Sequence, residues 1–326
     1  MKGMMAARGS LFTTQTARSL LFEGYTDTLL TMGSFFAPDN GIPMDRFGWF
    51  YKRNGTSWSD GRVTMATGEN GLAELGDIID YNGSNRTLYP GPCGQLTGTA
   101  AGFLGPDPER EFIDYYSTDI CRPIRFQKQS DIQINGVDSI KFSLIPRNTF
   151  GNAETNPENV CFHANLPYGL HNSTGCKGGD TTLKTFVSLP HFLGADTFYK
   201  EQFEPGVVVC GSVVQYSVWY SVVQYSTYSC GTVHIAVVSG NQQLSTLGSL
   251  SPDPELHSSS ISLQKGTSIP TEVLMRLQII IQLKPNTNIG TFFHDLPEVF
   301  LPVFWFDAEA SVTEDIAAQL NMIGNT

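Results

Sequence analysis

Charged residues are scarce in this sequence, and basic residues are the scarcer kind. Lys, Arg, Asp and Glu make up 16% of the 326 residues, whereas hydrophobic residues make up 40%. Such a composition buries enough apolar surface to fold, which excludes intrinsic disorder. Acidic residues outnumber basic ones by 31 to 20, and the formal net charge is −11. Because a binder of phosphate backbones needs a basic surface, we expect no nucleic acid among the partners.

Long apolar runs are also missing. No uncharged apolar run reaches the roughly 20 residues that a membrane-spanning helix requires. Residues 1–8 contain two basic residues but no apolar stretch of signal-peptide length. The longest charge-free stretch, residues 207–252, is rich in Ser, Gln, Tyr and Gly. We therefore expect neither a targeting signal nor a membrane anchor within these residues.

Catalytic and metal-binding motifs are absent as well. The sequence has no GxSxG, HExxH, GxGxxG or phosphate-loop pattern. Its six histidines show no metal-ligand spacing, and its paired acids, such as Asp107 with Glu109, lie in Pro-rich loops. We expect no enzyme activity, no cofactor and no metal. A glycosidase that uses two carboxylates distant in sequence stays as the enzymatic alternative.

Turn signals at short intervals predict a mainly β fold with short α-helices. The 32 glycines and 18 prolines are scattered along the chain, which favours many short strands. Apolar residues alternate with polar ones in 139–145 and 273–284, which predicts two strands, whereas 299–306 is apolar on both faces and predicts a buried strand. Helical spacing is present in 13–32 and 308–320. Shorter strands are predicted at 45–53 and, as a pair, within 62–80.

The cysteines and the glycosylation sequons favour an oxidising compartment. Sequons begin at Asn54, Asn82, Asn85 and Asn172, each in a segment rich in Gly, Ser or Asn. The cysteines are even in number and form no CxxC pair, so disulfides fit better than a zinc site. Buried free thiols in a cytosolic enzyme are the alternative. The six cysteines are Cys93, Cys121, Cys161, Cys176, Cys210 and Cys230.

Several stretches together resemble the class B scavenger receptor family. They are ARSLLFEGYTDTLL (17–30), FGWFYKRNGT (47–56), STDICRPI (117–124), NPENVCF (156–162), SLPHFLGAD (188–196) and PVFWFDAEA (302–310). Their order and spacing cover most of residues 8–320. The family includes fatty-acid translocase, croquemort, the sensory neuron membrane proteins and a lysosomal integral membrane protein. The wording is most similar to croquemort-type invertebrate members.

The resemblance implies an extracellular or lumenal domain between two membrane helices. Its fold would be an antiparallel β-barrel core with short helices and a hydrophobic tunnel. Members bind lipoproteins, fatty acids, anionic phospholipids or apoptotic cells, so the expected partners are lipids, lipoproteins and protein ligands. The expected location is the outer side of the plasma membrane. Two alternatives are a lumenal lysosomal receptor for a hydrolase, at the lysosomal membrane, and a secreted glycosidase-like enzyme.

The family pattern also implies which cysteines pair. It joins Cys93 to Cys161 and Cys121 to Cys176, and His163 stands where a third, short bridge of vertebrate members would begin. The family's lipid-contacting lysine falls around Ala6 to Arg8, so Arg8 is a candidate ligand contact. Arg46, Lys52 and Arg53 are weaker candidates for an anion site, with a solvated strand face as the plainer interpretation.

Two departures from the family pattern remain. The resemblance implies that residues 1–326 are a partial, truncated ectodomain, without either membrane helix and with a barrel incomplete on its N-terminal side. Residues 207–248 are an atypical insert that contains the near-repeat VVQYSVWYS and VVQYSTYSC. One interpretation is a retained intron or a gene-model error. The other is a genuine β-hairpin closed by a disulfide between Cys210 and Cys230.

Overall fold

A computed structural model gives the fold of most of the chain. It describes residues 14–16, 18–26, 46–53, 61–100, 102, 104–154, 156–162, 166–176, 184–203, 250–284 and 298–324, and the backbone of residues 213–219, 222–228 and 233–234.

The described chain is mainly β with short helices, which confirms the predicted fold class. Its strands are β1 (Thr14–Gln15), β2 (Val63–Met65), β3 (Ile78–Tyr81), β4 (Phe112–Ser117), β5 (Arg122–Ile134), β6 (Val137–Leu144), β7 (His171–Asn172), β8 (Lys184–Ser188), β9 (Val213–Trp219), β10 (Val222–Tyr228), β11 (Val233–His234), β12 (Ser260–Gln264), β13 (Pro270–Leu283) and β14 (Val299–Ser311). The α-helices are α1 (Pro146–Thr149), α2 (Thr197–Glu201), α3 (Pro254–His257) and α4 (Glu314–Gly324).

One ten-stranded sheet organises the molecule. Its main path runs β10-β9-β14-β13-β12-β6-β5-β4, with β8 also paired to β13 and β7 paired to β8. Neighbours are antiparallel except β9, which pairs with β14 in parallel. Within the described residues the two end strands, β4 and β10, do not pair with each other, so the expected barrel is not closed. The tunnel through such a barrel stays a prediction.

The alternation that predicted the long strands reflects burial on one face of this sheet. Ile261 of β12 lies between Phe142 of β6 and Val273 of β13. Phe142 and Ile261 are at most 1% exposed and belong to one apolar core with Phe126. Since successive side chains of a strand point to opposite faces, the intervening polar residues face away from this core.

The structure confirms the predictions for β6, β13 and β14, and for a strand pair within 62–80, where β2 pairs with β3. It contradicts two others. In the described part of the strand predicted over 45–53, residues 46–53 form bends and turns instead, and among them Phe47 bridges to Tyr25. Of the helix predicted over 13–32, the described part contains only a π-helical turn at Ser19–Glu23. Further on, β14 continues to Ser311, so α4 begins later than predicted.

Candidate functional site

Two disulfides hold four loops together at one end of the sheet. Cys93 is bonded to Cys161, with a Cα–Cα distance of 5.9 Å, and Cys121 is bonded to Cys176, with a Cα–Cα distance of 5.2 Å. These are the pairings that the family resemblance implies. Cys121 closes the four-residue loop of the β4–β5 hairpin in a left-handed conformation, with φ 54°. The second bridge therefore ties that hairpin to the segment after β7, while the first joins two other loops to each other.

A polar cluster lies against these bridges, and we call Tyr89, His171 and Arg122 the bridged cluster. The hydroxyl of Tyr89 lies 3.1 Å from the carbonyl oxygen of Asn172 and 3.3 Å from Nε2 of His171. Nδ1 of His171 lies 3.5 Å from Nη1 of Arg122. Gly169 (φ 110°) lets this loop pass close to Ala195, because a Cβ at that position would overlap its side chain.

Hydrogen-bond roles in the bridged cluster follow from its chemistry. An arginine can only donate, so Nδ1 of His171 accepts from Arg122. Nε2 of the neutral ring then carries the proton and donates to the oxygen of Tyr89, whose own hydroxyl donates to a backbone carbonyl. Burial raises the pKa of Tyr89 well above its ordinary value, which keeps the phenol protonated. The neutral side chains of Tyr89 and His171 thus orient the guanidinium of Arg122.

Arg122 is a buried cation. The residue is 9% exposed, and its guanidinium lies 4.3 Å from the centre of the Phe162 ring. Burial lowers the pKa of Arg122 to about 10. The guanidinium therefore stays charged at neutral pH.

A pocket with an apolar floor lies where β6 and β12 meet the loop before β4, and we call it the Ile140 pocket. Its volume is about 240 Å³. Ile140, Phe142 and Leu263 form the floor, and Arg110 and Lys265 stand at the rim. The remaining lining residues are Asp107, Pro108, Gln264, Gly266 and Ser268.

The two rim cations of this pocket differ in how they are paired. Nζ of Lys265 forms an ion pair with Asp131 at 2.7 Å. Nη2 of Arg110 donates to the carbonyl of Gly105 at 2.7 Å, and its buried Nε has no hydrogen-bond partner among the described residues. No carboxylate of the described chain lies within 4.0 Å of Arg110. An apolar floor beside a cation that forms no ion pair with the described residues is suited to an amphiphile with a negative head.

A sequence profile of the CD36 family matches residues 1–205 and 240–326. The chain belongs to the CD36 family. This confirms the resemblance to class B scavenger receptors. Residues 206–239, which include β9, β10 and β11, lie outside the match, and all but residue 206 fall within the segment 207–248 that the sequence marks as atypical.

Three curated relatives illustrate this membership. Protein peste of Drosophila melanogaster is 25% identical over 315 residues, which are 95% of the chain and 48% of that protein. Scavenger receptor class B member 1 of Cricetulus griseus is 24% identical over 307 residues, 92% of the chain and 50% of that protein. Lysosome membrane protein 2 of Rattus norvegicus is 29% identical over 201 residues, 59% of the chain and 39% of that protein. The chain thus spans about half the length of these relatives, or less.

Of the predicted basic candidates of this CD36-family chain, the described ones, Arg46, Lys52 and Arg53, line neither the Ile140 pocket nor the polar pocket beside the β4–β5 hairpin. Arg53 forms an ion pair with Asp119 at 2.8 Å. Lys52 lies over the ring of its neighbour Tyr51, 5.1 Å from the centroid. Arg46 is exposed, and Arg8 lies outside the described residues. Arg53 would have to exchange the carboxylate of Asp119 for another anion, and ligand contacts by all four stay predictions.

The predicted glycosylation sites differ in exposure. Asn82 and Asn85 are exposed in the loop after β3. Asn172 is half-buried at the end of β7, where its side-chain oxygen accepts from the backbone N–H of Thr174 at 3.1 Å. Asn54 lies outside the described residues. Glycosylation of all four stays a prediction, with Asn82 and Asn85 the most accessible of the described ones.

Two histidines from distant segments of this CD36-family chain stack on each other. The rings of His191 and His257 are 4.4 Å apart and nearly parallel, and Trp305 of β14 packs edge-on against His257. Nδ1 of His191 accepts from the backbone N–H of Ser251, and Nδ1 of His257 accepts from that of Asp253. Nδ1 of each ring thus accepts a hydrogen bond. Protonation of Nδ1 would break that bond.

No group of three or more His, Cys, Asp or Glu side chains in the described residues is arranged to hold a metal ion. None of the helices that the structure describes is both long and apolar enough to cross a membrane.

The sequence analysis missed Arg122, Arg110 and the Ile140 pocket. A signal existed for Arg122, because it follows Cys121 directly and alternates in step with Ile124 and Phe126, which β5 buries. The pocket had none, since its floor is made of ordinary strand residues that alternate like any others.

Proposed function

We propose that this chain forms part of the ectodomain of a class B scavenger receptor and binds lipids. The observation that carries the proposal is membership of the CD36 family, with a profile match on both sides of residues 206–239. Two disulfides that each span more than fifty residues agree with a location on the extracellular or lumenal side of a membrane. The relatives are named as receptors or membrane proteins, which favours binding over the glycosidase alternative.

The Ile140 pocket is the proposed lipid contact. Its floor offers apolar surface to an acyl chain, and Arg110 offers a positive charge to a carboxylate or phosphate head. Its volume of about 240 Å³ is small for a whole lipid, since ligand pockets commonly measure about 300–1,000 Å³. We therefore propose that the pocket holds one end of the lipid. The rest of the acyl chain would lie along neighbouring apolar surface of the protein.

A row of apolar side chains on β13 supports a path for such a molecule. Val273, Met275, Ile279 and Ile281 share one face of this strand and remain half-buried. Half-buried apolar residues in a row offer contact area to an acyl chain at successive positions. In a receptor that contains these residues, we propose that lipid moves along this face towards the bilayer.

The test is binding of a fluorescent fatty acid to the full chain with its disulfides intact. Ile140→Gln should weaken binding about tenfold, because a polar amide replaces apolar floor. Arg110→Gln should weaken binding of the fatty acid but not of an uncharged alcohol of the same length. Two matched controls, Ile79→Gln and Arg62→Gln, change exposed residues outside the pocket and should leave affinity unchanged. Affinity unchanged in both pocket variants would refute the assignment.

A second candidate is a receptor of the lysosomal lumen. The 29% identity to rat lysosome membrane protein 2 favours it. Co-localisation of the tagged, full-length gene product with lysosomal or plasma-membrane markers separates the two. Staining confined to the cell surface would exclude the lysosomal candidate.

A further inference from the structure

A second pocket, of about 250 Å³, lies beside the β4–β5 hairpin, and we call it the Arg122 pocket. It is more polar than the Ile140 pocket and draws on different strands. Its lining residues are Phe112, Asp114, Arg122, Pro123, Arg125, Asn148, Thr149, Asn156 and Glu158.

The two arginines of this pocket are not equivalent. Arg125 donates two hydrogen bonds to Asp114, from Nε at 2.7 Å and from Nη2 at 2.8 Å, and its Nη1 lies 4.0 Å from Glu158. Arg125 is also 43% exposed, so water screens its charge. Both carboxylates of the pocket are therefore directed towards a cation that needs little compensation.

Arg122 has no such partner. Its Nε donates to the carbonyl of Pro123 at 3.2 Å, and Nη1 donates to His171 at 3.5 Å. No carboxylate of the described residues lies within 4.0 Å of the guanidinium. Asp114 and Glu158 act on Arg122 only from beyond ion-pair distance. Because a buried charge is costly unless it is closely paired, a 9% exposed arginine in this position marks a place where an anion is stabilising.

The shape of the site suits an oxyanion. A guanidinium is planar and weakly hydrated, and it meets carboxylate or phosphate oxygens with two parallel N–H donors. His171 and Phe162 fix the plane of Arg122 from behind, so little side-chain entropy remains to be lost on binding. The pocket is also large enough to admit a phosphate group together with some water.

We propose that the Arg122 pocket binds an oxyanion, the phosphate or carboxylate group of an anionic ligand, with Arg122 as its positive partner. The site needs no acyl chain and shares no residue with the Ile140 pocket, so it does not depend on lipid binding there. Glu158 stands at the rim, with its side chain 72% exposed, and its negative charge opposes the incoming anion. Glu158 therefore lowers the affinity of the site for an anion.

The test is calorimetric titration of the full, disulfide-bonded chain with inorganic phosphate. A parallel arm measures co-sedimentation with phosphatidylcholine vesicles that contain phosphatidic acid, compared with vesicles of phosphatidylcholine alone. Arg122→Gln should lower affinity at least about tenfold, since the main charge-assisted contact is lost. Glu158→Gln should raise it about threefold, because a repulsive charge is removed. Arg62→Gln makes the same change of net charge as Arg122→Gln, at an exposed position outside the pocket, and should change nothing.

Each outcome of these titrations and sedimentations either supports the oxyanion site or overturns it. Saturable binding of free phosphate with the predicted changes supports a site for a soluble oxyanion, and binding of the phosphatidic acid vesicles alone supports a site for a lipid headgroup. Should Arg122→Gln lose its near-ultraviolet circular dichroism and fail to fold, Glu158→Gln carries the test, because that side chain is exposed. Absence of saturable binding in both arms, or affinity that does not respond to Glu158→Gln, would overturn the proposal. Loss of fatty-acid binding in Ile140→Gln alone would leave it intact.

Discussion

The main sheet and the bridged cluster both bury large side chains, but they hold them by different means. In the sheet, alternate residues of neighbouring strands meet across antiparallel pairs, and Phe126, Phe142 and Ile261 are at most 1% exposed. In the bridged cluster, Tyr89 comes from a loop and His171 from the two-residue strand β7, and both lie next to segments that two disulfides join. The sheet is stabilised by apolar area and tolerates small changes of shape, whereas the cluster depends on each covalent and hydrogen-bonded contact.

The largest expected effect comes from removing a bridge. The Cys93→Ala, Cys161→Ala double variant should lower the free energy of unfolding by about 4 kcal/mol, as the chain-entropy model gives for a loop of this length. Chemical denaturation under non-reducing conditions measures it. A loss below about 1 kcal/mol would mean that the loops are held mainly by their non-covalent contacts, and the contrast with the sheet would disappear.

A cavity in the sheet should cost somewhat less. Ile261→Ala removes a fully buried side chain between β6 and β13 and should lower the free energy of unfolding by about 3 kcal/mol. Ile79→Ala makes the same change at a residue that is 54% exposed and should cost less than about 0.5 kcal/mol. Equal effects at the two positions would show that β12 is not part of the cooperative core.

Two buried tyrosines sharpen the comparison further. Tyr89→Phe deletes a hydroxyl that links His171 to the backbone and should cost about 1–2 kcal/mol. Tyr116→Phe is the matched control, because the hydroxyl of Tyr116 is buried with no hydrogen-bond partner among the described residues. Its loss should be neutral or slightly stabilising. Similar costs at both positions would remove the special role given to the bridged cluster.

The smallest effect is a dependence on pH at the His191–His257 stack. Burial lowers the pKa of His257 below its ordinary value near 6.5, while Asp253 raises it and Arg276 lowers it. As the pH falls below about 6.5, the unfolded chain therefore takes up a proton before the folded chain does. The contribution to stability is complete above that pH and is lost as the pH falls towards the lowered pKa of His257.

Unfolding free energies measured between pH 5 and 8 test this sign. The decline on acidification should be smaller in His257→Gln, which cannot titrate. A stability that rises as the pH falls from 7 to 5.5, and does so equally in the wild type and in His257→Gln, would contradict the prediction.

The strands of the main sheet were predictable because apolar and polar residues alternate along short stretches of the sequence. For β13, Glu272, Arg276, Gln278 and Gln282 stand at alternate positions opposite the apolar row, and the strand pairs with its neighbours over its whole length. Residues 45–53 also alternate, but their aromatic side chains pack into a cluster under β14, where Trp49 meets Phe304. A left-handed residue, Lys52, turns the chain there. Local alternation alone does not distinguish these two outcomes.

The site was less predictable than the sheet, for a physical reason. Charge alone selected Arg53, yet its counter-ion, Asp119, is 66 residues away and compensates it. Arg122 acquired its environment from Phe162 and His171, which are distant in sequence and reach it only in the folded chain. Whether a cation is compensated depends on long-range neighbours, and these are absent from the local pattern.

The parallel pairing of β9 with β14 has a consequence for any splice form of this gene. Residues 305–309 of β14 hydrogen-bond to β9, which lies in the segment that the family profile does not match. In a product without that segment, the backbone N–H and C=O groups along this edge of β14, next to Trp305, would be unpaired. Such an unpaired strand edge can pair with a strand from another polypeptide. The two forms would then differ in whether they associate with other chains, even if they bind the same small molecules.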